Sequence, residues 1–416
     1  MMWFLNLLLI FLCFSLLGAE TMKIQFDDIA GLVEERNHHV KGATLIKESA
    51  EAGQGFLKRS YLPHVEAKIG SERFQSGTQL ERSEPYGKVE ATVNVFRGGI
   101  DKLENNLVDT RIKASSAEAD QSKREEIKKA RLFFWQLVSS RELEDLLVDA
   151  IAENQKNLTS AQKRVREGLA TQTDRIDFEM RKIELNQDVA RLKLSAQNMQ
   201  RQLRVLLGLS EGAEIMTSNF VDHNHDDKML TSSYQVENHP SLTGIRFRAD
   251  EALLKGTQLS RWWAPSIDLY AEYGTYTFRE REFDPSSERA ESVFGARVTI
   301  QIFDKFTMST EASQKNLEAA GLQSQHLQSV KELQADVENA KAELKLNHDL
   351  IHESEDALKL AKTFLTRTLD EYRRGVKNSP DVLSATSRNL EMRKRFAELR
   401  RDYQVARTEL LSVLGK

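Results

Sequence analysis

A ten-residue stretch occurs twice, 207 residues apart, and everything around it has to fit that repetition. Near the middle the chain reads Val165-Arg-Glu-Gly168-Leu-Ala-Thr-Gln-Thr-Asp174, and near the end Tyr372-Arg-Arg-Gly375-Val-Lys-Asn-Ser-Pro-Asp381. In both copies a glycine precedes an aspartate by six residues, and heptad-like sequence flanks the pair. Each copy reads as the tip of a long helical hairpin, with Gly168 and Gly375 at the turns.

The offset extends beyond the tips. Leu185, Val189, Leu192, Ala196, Met199, Leu203 and Leu206 alternate steps of four and three, the spacing of a coiled-coil seam. Shifted by 207 they become Met392, Phe396, Leu399, Tyr403, Ala406, Leu410 and Val413, apolar or aromatic throughout. Leu207-Gly208 maps onto Leu414-Gly415, and Phe96 onto Phe303. The chain is an internal duplication, with a first repeat over residues 20–208, a linker over 209–235 and a second repeat over 236–416.

Composition agrees with long helices. Glycine (20) and proline (6) are scarce among 416 residues, and 29% of residues are charged. A net charge of −4 and the lack of a basic block argue against a nucleic-acid partner. Residues 1–19 are almost all apolar and end on Gly18-Ala19, as a secretory signal peptide does; an uncleaved anchor is the alternative. Cys13, the only cysteine, lies inside that segment and lacks the small residue that should precede a lipid-modified cysteine. Once the leader is cut, neither a disulfide nor a thiolate metal site is possible. After residue 20 no apolar run is long enough for a membrane-spanning helix, so entry into a membrane would need β-strands.

Residues 24–60 read as one helix. From Pro63 the pattern changes to alternation: Val65, Ala67 and Ile69 against His64, Glu66 and Lys68, then Val89, Ala91, Val93 and Val95 against Glu90, Thr92 and Asn94. This predicts a hairpin over 62–96, with a polar loop from Ser71 to Lys88. The region from Arg97 to Arg166 has no proline and predicts a helix on the order of 100 Å long. On it, Phe133, Phe134 and Trp135 read as bundle core. The return helix covers 174–207. In the linker, His223, His225, Asp226 and Asp227 carry donors suited to a divalent cation. Their closeness in sequence defines no geometry, and the segment reads as a solvated loop with no metal assigned.

The second repeat follows the same plan. A helix starts at Asn238-His239-Pro240, and Pro265 stands for Pro63. A hairpin over 265–303 sets Ile267, Leu269, Ala271 and Tyr273 against Asp268, Tyr270 and Glu272, then Phe294, Ala296, Val298, Ile300 and Ile302 against Arg297, Thr299 and Gln301. Its loop carries Pro285, the counterpart of Pro85. A second unbroken helix runs from Lys305 to Arg373.

Strands of about nine residues can cross an outer membrane when tilted. Four cannot close a barrel, and open edges in lipid cost several kcal/mol per unpaired group. The expected fold class is therefore α+β, with four strands per chain shared among copies. Two copies would give eight strands and three would give twelve. Each strand feeds a helix, and a ring of long helices favours the wider trimer. The competing expectation is a periplasmic coiled-coil protein with no pore, its hairpins merely capping a bundle.

The sequence resembles the TolC-type outer-membrane efflux family over roughly residues 24–416. The resemblance is carried by Asn238-His-Pro-Ser-Leu, Gly168-x5-Asp174, Tyr372-x2-Gly375-x5-Asp381-Val-Leu383 and the closing Leu-Leu-Gly and Val-Leu-Gly. It implies a homotrimer with a twelve-stranded barrel in outer-membrane lipid of a Gram-negative cell, continued by an antiparallel coiled-coil tunnel in the periplasm. It also implies a passive, gated exit duct in a tripartite efflux or type I secretion system, served by a periplasmic adaptor and an inner-membrane pump. No enzyme activity and no cofactor are implied. By position, the periplasmic gate falls on Thr173, Asp174, Tyr372, Lys377 and Asp381. Lys377 replaces an arginine and forgoes a bidentate bond. Ser384 stands where a second acidic ring would be. The barrel interior falls on Glu66, Lys68, Glu90, Asp268, Glu272 and Arg297. A direct Tyr372–Asp174 hydrogen bond between hairpins is expected, with Lys377 adding attraction to Thr173 or Asp174.

Overall fold

The computed structural model describes residues 21–74, 82–210, 212–217, 239–275 and 290–415. The leader, the His223/His225/Asp226/Asp227 cluster and Pro285 lie outside these residues. In chain order the elements are β1 (Thr21–Ile24), α1 (Asp28–Arg36), α2 (His38–Glu51), α3 (Phe56–Ser60), β2 (His64–Phe74), β3 (Arg82–Arg97), α4 (Ile100–Arg166) and α5 (Gln172–Leu206). Then follow β4 (Glu214–Thr217), α6 (Pro240–Ser260), β5 (Ser266–Thr275), β6 (Ala290–Thr299), α7 (Thr307–Arg373) and α8 (Ser379–Val413).

The duplication is visible in the helix boundaries. α4 and α7 are each 67 residues long, and α5 and α8 are each 35. Every boundary of the first pair recurs 207 residues later in the second, from 100 to 307, 166 to 373, 172 to 379 and 206 to 413.

The chain divides into two compact units. The first takes in the chain up to Thr44, Ala119–Pro240 and Val330–Lys416. In it β1 pairs in parallel with β4, and Ile24 and Ile215 sink into a core with Ile29, Val33, Phe134, Trp135, Leu203 and Leu207. Phe26 stacks on Trp135 at 5.2 Å. Two further clusters follow the seam. Leu185 packs with Leu147, Ala150 and Leu390, and Leu399, Tyr403, Ala406 and Leu410 pack with Val337, Leu344 and Ile351.

The single helix expected over 24–60 is instead a strand and three helices. Asn37 explains the first break: its Oδ1 accepts from the His39 and Val40 amides at 2.8 and 3.1 Å, capping α2. Its Nδ2 donates to the Leu206 carbonyl at 2.8 Å, tying the break to the end of α5. Gly55, at φ +78°, makes the second break before α3. The linker read as irregular contains β4, which its partner β1 stabilises from far away in sequence.

The second unit comprises Leu45–Glu118 and Ser241–Ser329. Its antiparallel sheet has the order β2-β3-β5-β6, so the hairpins of the two repeats join at β3–β5. β2 and β6 are the edges, with no further strand beside them among the described residues. Pairing runs beyond the alternating segments: Ser71 lies opposite Pro85 and Phe74 opposite Arg82, where a loop was expected. Backbone bonds continue there without an apolar face to signal them. β6 stops at Thr299, short of Ile300 and Ile302, because its partner β5 begins at Ser266, opposite Thr299. Arg248 holds Glu118 through two bonds of 2.7 and 2.8 Å, joining α6 to α4.

Candidate functional site

The two tips are built by the same local chemistry. Gly168 and Gly375 adopt φ of +71° and +77°, where an L side chain would be strained. Each closes a Schellman turn: Leu169 N–H donates to the Arg164 carbonyl at 2.8 Å, and Val376 N–H to that of Glu371 at 2.9 Å. The return helices then open on capping boxes. Asp174 accepts from the Thr171 amide at 2.8 Å while its own amide donates to Thr171 Oγ1. Asp381 and Asn378 repeat the exchange at 3.2 and 3.4 Å. The shared Gly-x5-Asp spacing is thus first of all a turn-and-cap device.

On this frame one chain ties its two hairpins together. Tyr372 is 5% exposed and packs with Leu158, Ala161, Phe178 and Val382, so all four tip helices contribute to one cluster. Arg164, on α4, lays its guanidinium 4.4 Å from the Tyr372 ring centre and donates through Nη1 to the Tyr372 carbonyl at 2.7 Å. The Tyr372 hydroxyl lies 3.4 Å from Ser379 Oγ, and the Ser379 hydroxyl is close enough to Asp174, on the other hairpin, to favour its carboxylate. Burial would raise the Asp174 carboxyl. Hydrogen bonds from Thr171 and Ser379, with the nearby Arg164 charge, outweigh that and hold it below the ordinary aspartate value.

Within the chain, then, the Tyr372 hydroxyl meets Ser379, which lies beside Asp174, rather than making the direct bond expected. Lys377 lies 3.7 Å from Asp381 on its own tip, not on Thr173 or Asp174, because the tight turn after Gly375 leaves the two one helical turn apart. Thr173 is exposed on the first turn of α5. Arg164 and Ser379 were missed by sequence reasoning. Their signal is the place where the copies differ: Arg164 matches Glu371, Val165 matches Tyr372, and Gln172 matches Ser379 at the 207-residue offset. The turn is repeated, but the cross-hairpin contacts are not.

The sheet reverses the burial pattern of a water-soluble protein. Val65, Ile69, Val89, Leu269, Phe294 and Val298 share one face and are exposed, Ile69 and Phe294 by 88% and 80%. The opposite face is polar and more enclosed. Lys68 Nζ lies 3.0 Å from Glu90 and is also paired with Glu66. Lys88 lies 3.2 Å from Glu272, and Asn94, only 8% exposed, donates to Asp268 at 2.8 Å. Arg297 stacks 4.8 Å from the Tyr270 ring. These charges are satisfied laterally, strand to strand. No described helix is long and apolar enough to cross a membrane, and no described group of three or more His, Cys, Asp or Glu could hold a metal ion.

Residues 233–416 match the sequence profile of the family described as outer membrane efflux protein. That match covers the second repeat, so the second repeat is similar in sequence to outer membrane efflux proteins. A likeness of fold to outer-membrane channels of known structure extends over nearly the whole chain. The Campylobacter jejuni CmeC outer membrane channel superposes with a TM-score of 0.81 at 13% identity, over 94% of this chain and 85% of that one. VceC from Vibrio cholerae gives 0.79 at 15% identity, over 94% and 96%. The open state of the Neisseria gonorrhoeae MtrE channel gives 0.74 at 16%, over 94% and 88%. No curated protein sequence matches. The chain is mostly helical with small sheets, and it shares the fold of these outer-membrane channels.

Proposed function

We propose that this chain is an outer-membrane efflux protein, the exit duct of a tripartite efflux or type I secretion system. Three copies close a twelve-stranded barrel whose helices form a periplasmic tunnel. An inner-membrane pump and a periplasmic adaptor supply the energy and the cargo, and the duct itself is passive. The observation that carries this reading is the reversed sheet. Exposed Ile69 and Phe294 on one face and a Lys–Glu ladder on the other suit a wall between lipid and water. The unpaired edges of β2 and β6 favour closure with further copies, since open edges are not tolerated in lipid.

Two rows of apolar side chains point the same way. Ile176, Met180, Ile183 and Leu194 on α5, and Leu346, Leu360 and Phe364 on α7, are exposed in the single chain at coiled-coil spacing. They suit helix-to-helix contacts between copies. The tip cluster around Tyr372, with Thr173, Asp174, Lys377 and Asp381 at the turns, suits a closure at the far end of the helices. Ion conductance across a planar bilayer tests the reading: purified protein should form discrete channels. Membrane-inserted protein that conducts nothing under any opening condition would favour a structural coiled coil without a pore.

A further inference from the structure

We infer that the first unit contains a binding site for a small phosphate-type oxyanion, in a cavity of about 220 Å³ between α1, the middle of α4 and the end of α8. Its wall carries Lys123, Arg124, Lys128 and Arg131, four cations against the single carboxylate of Glu34. Glu34 is already engaged, 3.3 Å from Lys123. Arg124 and Lys128 make no ion pair among the described residues, and the Nε atoms of Arg124 and Arg131 are shielded from solvent without a hydrogen-bond partner there. Burial draws Arg131 below the ordinary arginine value; the Asp27 carboxylate opposes this more than the Arg407 charge adds to it, and the guanidinium lies 4.9 Å from the Phe26 ring, so the uncompensated charge rests on Arg124 and Lys128.

An arginine cannot shed its proton to escape this cost. Shielded guanidinium N–H groups are stable only when paired or hydrogen-bonded. The carboxyl end of α8, which borders the cavity at Ser412 and Gly415, contributes only about half a negative charge. That cannot balance Arg124 and Lys128 together. A dianion with tetrahedral oxygens can, because it accepts from forked guanidinium donors and an ammonium at once. The cavity holds such a group with room for a small ester substituent. Its occupant would tie together three segments far apart in sequence, at Ala30, Ile127 and Thr408.

The test is calorimetric titration of the detergent-purified full chain, at constant ionic strength, with inorganic phosphate in one arm and glycerol 3-phosphate in another. We expect saturable binding in at least one arm. Preference for the free ion points to phosphate itself, and preference for the ester points to an organic phosphate such as a lipid headgroup. The double variant Arg124→Gln/Lys128→Gln should weaken binding at least tenfold, and Glu34→Gln, which removes the only acid in the wall, should strengthen it severalfold. A Lys58→Gln control, remote in sequence, should match the parent. No saturable binding in either arm, or parent affinity retained in the folded double variant together with no gain in Glu34→Gln, would overturn the assignment.

Discussion

Arg164 grips Tyr372 twice, stacking its guanidinium 4.4 Å from the ring and donating at 2.7 Å to the carbonyl oxygen of the same residue. The two belong to different hairpins, so this contact resists separation of the tips within one chain. A hydrogen bond from a charged group contributes about 1.5–3 kcal/mol, and a cation over an aromatic face about 0.5–2.

The first prediction follows from that contact. Arg164→Ala should loosen the tips and raise single-channel conductance markedly. Tyr372→Phe keeps the ring and the carbonyl and loses only a 3.4 Å contact to Ser379, so its effect should be smaller. Equal conductance for Arg164→Ala and the parent in planar bilayers, with assembly intact, would show that this contact does not hold the channel shut.

Acid should act through Asp174. Its folded value is depressed, so its contribution is complete above the ordinary aspartate value of 3.8 and is lost as pH falls through the lower folded value. Hydrogen exchange around Thr171–Arg175 should therefore accelerate, relative to a remote helix, as pH falls below about 4. Asp174→Asn should flatten that dependence. A variant that keeps the parent's pH profile would assign it to another group.

The caps offer a stability test. Thr171→Ala and Asn378→Ala each remove the acceptor of a capping box and should each cost about 1 kcal/mol, read as a lower Tm by circular dichroism. Gly375→Ala should cost a similar amount through its positive φ, without touching any neighbour, because a Cβ there meets open space.

Labelling should separate the sheet faces. With Cys13 changed to serine, single cysteines at Glu66, Thr92 and Asp268 should react with a water-soluble maleimide faster than those at Val65, Val93 and Leu269. Rates without alternation along β2, β3 and β5 would refute a lipid-facing side.

The parts of this fold that are legible in the sequence are those governed by periodicity. Alternation of period two located Val65–Ile69 and Ile267–Tyr273, and the four-three spacing located the seam through Leu185 and Leu203. Pairings between segments distant in sequence leave no such trace. β1 and β4 are four residues each, too short to show alternation, and exist because they lie side by side. Asn37 looks like one more polar residue on a helix until the Leu206 carbonyl is placed beside it. At the tips, Asp174 could be found because the Gly-x5-Asp motif repeats, and Tyr372 only because the family resemblance marks its position. Arg164 and Ser379 could not, since their role depends on which hairpin lies beside which.

The equal lengths of α4 and α7 have an evolutionary consequence. One residue inserted into either helix alone would displace its tip by about 1.5 Å and turn it by about 100°, carrying Arg164 away from Tyr372 or Ser379 away from Asp174. Gains and losses of sequence in one helix therefore have to be matched in the other. The two copies can diverge freely in side chains, yet they inherit a single length, and lineages should lengthen or shorten these helices in concert, in steps close to whole heptads.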